Sequence, residues 1–594
     1  MWLPEFDDPK WPLMAQVARP SRYSGSEWRE EPLPTDGRAL KICLAFPDVY
    51  EIGMSYYGFQ VLTPFLESLG VSVDRAYCPW VDMEALLRQK NTPLTSTVKR
   101  LPLGEFDAVG FTIQHELCYT NILTMLDLSN IPLRAEARGD AYPIILAGGP
   151  GAFVPEPMSP FIDAFCVGEG EAIYPKLLRA LSETRGLPRS DRLEECAKVS
   201  GVYAPLYSKT RVKRQFVADL SDAPSPTNMI VPSVNIVHDR ASLEVFRGCS
   251  RGCRFCQAGM TNRPVWERPA REITDTVIEL VKRTGWEEVG LLSLSTCDYS
   301  AINQVVETLS PMLSARGAKL SLPSLRMDGF SVGLANRLRE VRRGGLTFAP
   351  EAGTQRLRNV INKGIDEDSI FACLNEAFSK GWDRIKLYFM MGLPTETEDD
   401  LNGIVELARN AVKLAARLKR KRASLAVSVS GFVPKAHTPF QWERQNSVEE
   451  FRDKGRMLKA KVLEGKDRAR SNISLAYHDP EQSFLEGALA RADRRAADVI
   501  EMAWREGARF DGWSETFDLS RWLASFDSHG LDPHDFTRER REDEALPWDN
   551  IDVGVSGEFL LSERRAAYEA KLTPDCREGC SACGLDCFGA GAKK

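Results

Sequence analysis

Short apolar runs alternate with amphipathic runs through most of this chain, in two blocks divided by a proline-rich stretch. This alternation narrows the fold more than any other feature. In the first block the apolar runs are KICLAF (41–46), VSVDRAY (71–77), DAVGFTI (107–113), YPIILAG (142–148) and FIDAFCVG (161–168). Helical patterns lie between them, at 57–69, 119–129 and after 170. Parallel strands need crossover connections, usually helical, so strict alternation predicts an α/β, doubly wound parallel sheet over 37–200. The second block carries LEVF (243–246), EVGLLSLS (288–295), KLSLPSL (319–325), GLTFAP (345–350), RIKLYFMMG (384–392) and LAVSVSGFVP (425–434). Six β/α units over 241–445 predict a partial (β/α)6 barrel, whose chemistry belongs at the carboxyl ends of its strands.

The remaining segments read by contrast. Residues 1–36, rich in proline and charge, predict an arm draped over the rest. Residues 201–240, with Pro205, Pro224, Pro226 and Pro232, predict a linker. Residues 446–570 are charged and helical in pattern and carry Trp504, Trp513, Trp522 and Trp548. Residues 571–594 form a cysteine-rich tail.

Cys249, Cys253 and Cys256 follow directly after the first strand of the second block, spaced Cys-x3-Cys-x2-Cys. Three thiolates can ligate three irons of a [4Fe-4S] cluster and leave the fourth iron open to a substrate or cofactor. Structural zinc would need a fourth ligand close by. The next cysteine is Cys297, and the nearest upstream histidine is His238.

With Phe255 before the third cysteine and the barrel behind it, this segment resembles the radical S-adenosylmethionine (SAM) superfamily. The resemblance implies that SAM chelates the open iron and is cleaved by one electron to a 5′-deoxyadenosyl radical. It implies a reductase such as flavodoxin or ferredoxin as electron donor. It also implies catalytic and metal-ligating roles for Cys249, Cys253 and Cys256, with Phe255 beside SAM. By the same resemblance, Glu351 and Arg356, after the fourth strand, hold the polar end of SAM. Gly392 and Pro394, after the fifth strand, lie beside its adenine, and His437 stands at the sixth strand end. The second strand ends Leu294-Ser295-Thr296-Cys297-Asp298 where the family usually has Gly-Gly-Glu.

A doubly wound domain ahead of such a barrel resembles the cobalamin (B12)-binding class, in which the first domain is Rossmann-like. Gly148 and Gly149 after the fourth strand are similar to what that class carries, and paired glycines let backbone approach a ligand closely. The loop after the first strand has Asp48, Tyr50 and Gly53 where the class has Asp-x-His-x-x-Gly, so Tyr50 replaces the cobalt-binding histidine. Two readings follow: cobalamin bound without a protein ligand, or a domain that has lost it. The arm, the domain order, the stretches 478–487 and 509–513, and the tail together resemble one family of cobalamin-type radical SAM proteins over nearly the whole chain.

Cys576, Cys580, Cys583 and Cys587 are packed like ferredoxin ligands. They leave open a second iron–sulfur cluster, a zinc site, or a thiol–disulfide or disordered tail.

Lys plus Arg number 77 against 83 for Asp plus Glu, so the net charge of −6 excludes a uniformly basic nucleic-acid binder. Arg409, Lys413, Arg417 and Lys421 still form a helical basic stripe, either a solvated outer face or an RNA contact. No apolar run approaches the roughly 18 residues of a membrane helix, and the N-terminus lacks signal-peptide order, so a cytoplasmic protein without membrane contact is expected.

Three functions follow. The first is a radical SAM transferase that functionalises, most simply methylates, an unactivated carbon of RNA, a protein or a small metabolite. The second is a methylthiotransferase-like enzyme without cobalamin. The third is a non-catalytic iron–sulfur scaffold or assembly factor.

Overall fold

The computed structural model describes residues 11–29, 39–322, 326–327, 345–420, 422–464 and 472–585. Six strands form the N-terminal sheet: β1 (Lys41–Phe46), β2 (Ser72–Tyr77), β3 (Ala108–Thr112), β4 (Ile144–Gly148), β5 (Ala164–Cys166) and β6 (Val202–Tyr203). Their order is β2-β1-β3-β4-β5-β6, parallel except for the antiparallel edge strand β6. The strands are apolar on both faces, as a doubly covered parallel sheet requires. Ile42, Leu44 and Phe46 pack against Phe59 and Leu66 of helix Tyr57–Ser68 and Leu177 and Leu181 of helix Gly170–Glu183.

The opposite face is covered from an unexpected direction. Cys43, Ala45, Val109, Phe111 and Ile145 share one core with Ile122 and Leu126 of helix Tyr119–Leu128, and with Ala488, Ile500, Trp504 and Trp522 of the C-terminal helices. Helices within the region expected at 446–570 as a helical C-terminal domain thus supply the second cover of the N-terminal sheet. The polar groups of this seam are paired. Buried Asp511 accepts from Thr120 Oγ1 at 2.7 Å and Trp522 Nε1 at 2.9 Å, and Trp504 Nε1 donates to Thr124 Oγ1 at 3.0 Å. This accounts for the stretch around Asp511 that stood out in the sequence.

The barrel strands lie close to their expected places: β7 (Ala241–Glu244), β8 (Glu288–Leu292), β9 (Lys319–Ser321), β10 (Leu346–Glu351), β11 (Arg384–Met391) and β12 (Ser424–Gly431). A seventh parallel strand, β13 (Ile473–Tyr477), pairs with β12, so the barrel sheet continues beyond the boundary expected at 445. The strands form two parallel sheets, β7-β8-β9 and β10-β11-β12-β13. Just past β7 the chain leaves the barrel. Phe246–Arg247 pairs antiparallel with Trp266–Glu267, and the cysteine loop spans this ribbon. The described part of the arm is packed, with Leu13, Met14 and Val17 buried and Glu27–Trp28 paired with Val231–Pro232 of the linker.

Two side chains after β12 join barrel and sheet. Lys435 Nζ lies 2.8 Å from both Glu116 and Glu486. His437, fully buried, donates from Nε2 to the Phe153 carbonyl at 2.9 Å. Burial disfavours the imidazolium and lowers the His437 pKa to about 4. The folded state therefore binds fewer protons here than the unfolded chain, whose histidines titrate near about 6.5. The stability held in the neutral ring is present above that value and is lost as pH falls through about 4. Acidification from pH 7 to 4 is expected to cost the wild type about 3 kcal/mol more than a His437→Gln variant, read as the difference in denaturation free energy between the two proteins at each pH.

Candidate active site

The cysteine loop is short, glycine-containing and held from below. Gly248 and Gly252 adopt positive φ of 88° and 71°, conformations that glycine takes at little cost. A Cβ at Gly248 would lie 2.3 Å from the Pro264 carbonyl oxygen. Between the second and third cysteines, the Arg254 side chain is fully buried. Its guanidinium pairs with Glu563 at 2.9 Å and donates to the carbonyls of Asn359 and Val360, both at 3.0 Å, and Lys571 at 2.8 Å. Asn362 Nδ2 donates to the Arg251 and Gly252 carbonyls. The loop is thus fastened to the chain after β10 and to the last helix, Gly557–Tyr568, and the segment beyond it.

Above the loop lies a cavity of about 300 Å³ lined by Cys249, Cys253, Cys256 and Phe255, by Leu294 and Ser295 after β8, and by Glu351 and Lys363. Burial pushes the Cys256 thiol up to about 12 and raises that of Cys249. Metal ligation reverses this preference, because a bound cation favours thiolate outright. Cys256 Sγ also accepts from the Gly259 amide at 3.3 Å, a donor that favours charge on sulfur. Among the described residues no three His, Cys, Asp or Glu side chains converge into a ready-made metal site, these three thiols included. The donor set nevertheless fits an iron–sulfur cluster, with three thiols and, among the described residues, no fourth cysteine or histidine lining the cavity.

The structure sorts the predicted SAM residues. Glu351 lines the cavity at the end of β10, with a positive φ of 68°, and pairs with Lys363 at 3.1 Å. Arg356 does not line it. Its half-exposed guanidinium pairs with Asp400 and donates to the Thr395 carbonyl at 2.8 Å. Gly392 and Pro394 also stand outside the cavity wall. The Gly392 amide donates to the buried Glu396 carboxylate at 2.9 Å, which pairs in turn with Lys454 at 2.7 Å. Lys363 and Arg326 are cavity cations that sequence reasoning missed. No motif marks them; Arg326 follows the β9 run, and that position was its sole signal.

A second cavity, of about 430 Å³, opens at the carboxyl ends of β3, β4 and β5 and is closed from the other side by the barrel. Its walls include Gly110, Gly148, Gly149, Gly168 and Gly170 from the sheet, with Glu244, Arg247 and Leu294 from the barrel. Arg247 is clasped by Glu169 at 2.7 Å, Glu244 at 2.7 Å and Glu171 at 3.1 Å. A Cβ at Gly148 would find its nearest heavy atom 3.9 Å away, so that glycine leaves space open. A third cavity, of about 320 Å³, shares Tyr56 and Thr112 with the second and is lined by Asp48, His115 and His238.

Tyr50 and Gly53 line neither the 430 Å³ nor the 320 Å³ cavity and are engaged in packing. The Tyr50 hydroxyl is buried and donates to Glu27 of the arm at 3.0 Å, and burial pushes its pKa up. A Cβ on Gly53 would lie 2.5 Å from the Tyr77 ring. Asp48 accepts from Trp513 Nε1 at 3.2 Å, tying the loop to the C-terminal helices. The loop after β1 therefore anchors its neighbours and offers no metal ligand from Tyr50. Of the basic stripe, Arg409 is structural and donates to the Lys461 and Glu464 carbonyls, while Lys413 and Arg417 are exposed and Lys421 lies outside the described residues. No helix among the described residues is long and apolar enough to cross a membrane.

Residues 243–408 match the radical SAM superfamily, and residues 58–205 match the family described as radical SAM proteins, N-terminal. An uncharacterized protein of Methanocaldococcus jannaschii is 28% identical over 432 residues, covering 72% of this chain and 87% of its own length. An uncharacterized methyltransferase of Pyrococcus horikoshii is 24% identical over 307 residues, 48% of this chain and 64% of its own. The solved structure of the radical S-adenosylmethionine methyltransferase TsrM from Kitasatospora setae, with cobalamin and a [4Fe-4S] cluster bound, aligns at a TM-score of 0.47. It is 15% identical and covers 68% of this chain and 77% of that one.

Replacing Arg254 by Met leaves Glu563 buried without its partner and frees the loop. A loss of about 3–5 kcal/mol is expected, with iron retention after anaerobic reconstitution falling in parallel. Thermal denaturation and iron analysis of the variant read both.

Proposed function

This chain belongs to the radical SAM superfamily and is one of its enzymes, and from that premise we propose that it transfers a methyl group to an unactivated carbon, with cobalamin seated in the cavity at the edge of the N-terminal sheet. One observation carries this reading: the cysteine-lined cavity and the glycine-walled cavity share Leu294, so a group held at the sheet edge abuts the chamber in which SAM would be cleaved. The relative from Pyrococcus horikoshii, a methyltransferase by name, supports the reaction class.

When bound, the cluster with SAM supplies a 5′-deoxyadenosyl radical, and cobalamin supplies a transferable methyl group. The residues of the chain do the holding. Cys249, Cys253 and Cys256 would ligate three irons, leaving the fourth for SAM. Lys363 and Arg326 are the cavity cations suited to the carboxylate of SAM, and Glu351 is the anion suited to its ammonium group. Phe255 supplies an apolar wall of this chamber. At the sheet edge, Gly148 and Gly149 would admit the corrin to the backbone. Among the described residues no histidine lines the 430 Å³ cavity, so this reading offers the cobalt no imidazole ligand from its walls.

Two outcomes test it. Cys253→Ala should abolish 5′-deoxyadenosine formation in an anaerobic assay with dithionite, and undiminished cleavage would refute the reading of the loop. Gly148→Val should fold with an unchanged melting temperature, because its side chain projects into open space. It should also weaken cobalamin binding roughly tenfold or more, about 1.4 kcal/mol, measured by cobalt retained after gel filtration. Wild-type protein that holds iron, cleaves SAM and takes up no cobalamin would favour methylthio transfer instead.

A further inference from the structure

The described part of the C-terminal tail lies against the loop that carries the three cysteines. The Cys576 amide donates to the Ser250 carbonyl at 3.1 Å, and Ser250 is the residue after Cys249. Ser250 Oγ donates to Asp575 at 2.8 Å, and both residues are buried. The same carboxylate lies 3.3 Å from Arg251 Nε and accepts from the Arg577 amide and guanidinium, each at 2.9 Å. Arg577 also donates to the Asp298 carbonyl at 2.7 Å, and the Asp298 carboxylate accepts from Arg251 Nε at 2.9 Å. Of the tail cysteines read as metal ligands, Cys580 is exposed, Cys583 is buried with its carbonyl on the Ser556 amide at 2.8 Å, and Cys587 lies outside the described residues. Among the described residues no three of these thiols converge to hold a metal.

One peptide group stands between this tail and the cluster site. Its carbonyl is that of Ser250, which accepts from the Cys576 amide. Its N–H is that of Arg251. Burial raises the Cys249 thiol pKa, and a hydrogen bond from the Arg251 amide opposes that rise by favouring charge on the sulfur. A carbonyl that accepts a hydrogen bond polarises its peptide, which makes the N–H on the other side a better donor. Donors aimed at ligand sulfurs in turn favour the reduced form of an iron–sulfur cluster, because the added electron is spread over those sulfurs. Asn362 fixes the next two carbonyls of the loop, those of Arg251 and Gly252. The tail fixes the one before them.

We infer that Asp575 is a positioning residue for the catalytic cluster: through Ser250 it holds the Ser250–Arg251 peptide with its N–H on Cys249, and so raises the reduction potential of the cluster at which SAM is cleaved. The inference rests on the radical SAM reading of the barrel. The electron still comes from a one-electron donor of the flavodoxin or ferredoxin class, and no bond forms or breaks at the tail. What the tail sets is how readily the cluster accepts that electron.

The full chain, reconstituted anaerobically with iron and sulfide, tests this by redox titration of the electron paramagnetic resonance signal of the reduced cluster. The loop cluster is the signal that Cys253→Ala removes. Asp575→Ala should lower its midpoint potential until the reduced-to-oxidised ratio at a fixed potential falls about tenfold, about 59 mV for a one-electron couple. Ser250→Ala removes the other partner of the same hydrogen bond without changing any charge, and should shift the potential the same way. Asp575→Asn keeps an acceptor for the Ser250 hydroxyl and should titrate no lower than wild type. Charge by itself predicts the opposite sign, because removing a carboxylate beside the cluster favours the reduced state. Unchanged or raised potentials in the two alanine variants would therefore overturn the inference. So would variants that lose iron while the cluster they retain titrates as in wild type, the behaviour of a clamp that is structural only. Failure of the underlying reading would look different: the signal and its shifts as expected, and no 5′-deoxyadenosine from wild type given SAM and dithionite.

Discussion

A parallel sheet with two apolar faces must be covered on both sides, and the segment before residue 200 covers one of them and part of the other. The rest comes from helices more than 400 residues from the start of the chain, whose Ala488, Ile500, Trp504 and Trp522 complete the core over β1, β3 and β4. Apolar burial of this extent, at about 25 cal/mol per Å², ties the two ends of the chain into one body. The architecture follows from that closure. The path back from the helical layer carries the last helix under the barrel mouth, where Glu563 meets Arg254, and delivers the tail to the cysteine loop.

The seams created by this closure are polar where the sheet and barrel cores are not. Lys435 between Glu116 and Glu486, Arg247 among three carboxylates, and Asp511 beneath Thr120 and Trp522 all sit where separate stretches of chain meet. Buried polar groups of this kind are weak sources of stability and strong sources of register, since a misplaced neighbour leaves a donor or charge unpaired. They hold the barrel at one distance from the N-terminal sheet, and that distance leaves the glycine-walled cavity between them. The two cavities meet at Leu294 because the carboxyl ends of both sheets face the same space. Strand ends are where backbone groups leave the ladder and loops become free to carry chemistry.

Much of this was legible beforehand, for local reasons. Strand and helix periodicity depends on nearest neighbours along the chain, so eleven of the anticipated strands lie close to the ranges read from KICLAF, EVGLLSLS and their counterparts. The Cys-x3-Cys-x2-Cys spacing states its chemistry without a fold, because three thiols within eight residues are close enough along the chain to ligate one cluster. The paired glycines Gly148 and Gly149 were readable for a similar reason: they close a strand, and both line the cavity at its end. Several residues read as cofactor contacts have protein partners that their motifs do not announce: Arg356 turns to Asp400 and Tyr50 reaches into the arm toward Glu27, while Gly392 is satisfied locally by Glu396.

The sequence by itself determined the element order, the two α/β blocks and the spacing of the loop cysteines, since these rest on position along the backbone. The tertiary structure alone decided which face of the first sheet the C-terminal helices cover, which charged residues enter the cavity, and that the tail meets the cysteine loop. The first and the last of those depend on pairing between groups hundreds of residues apart. Arg254 and Glu563, or Cys576 and Ser250, carry no mark of one another in sequence. Such pairs form because closure of the core brings them together, and a buried donor or charge cannot be left without a partner.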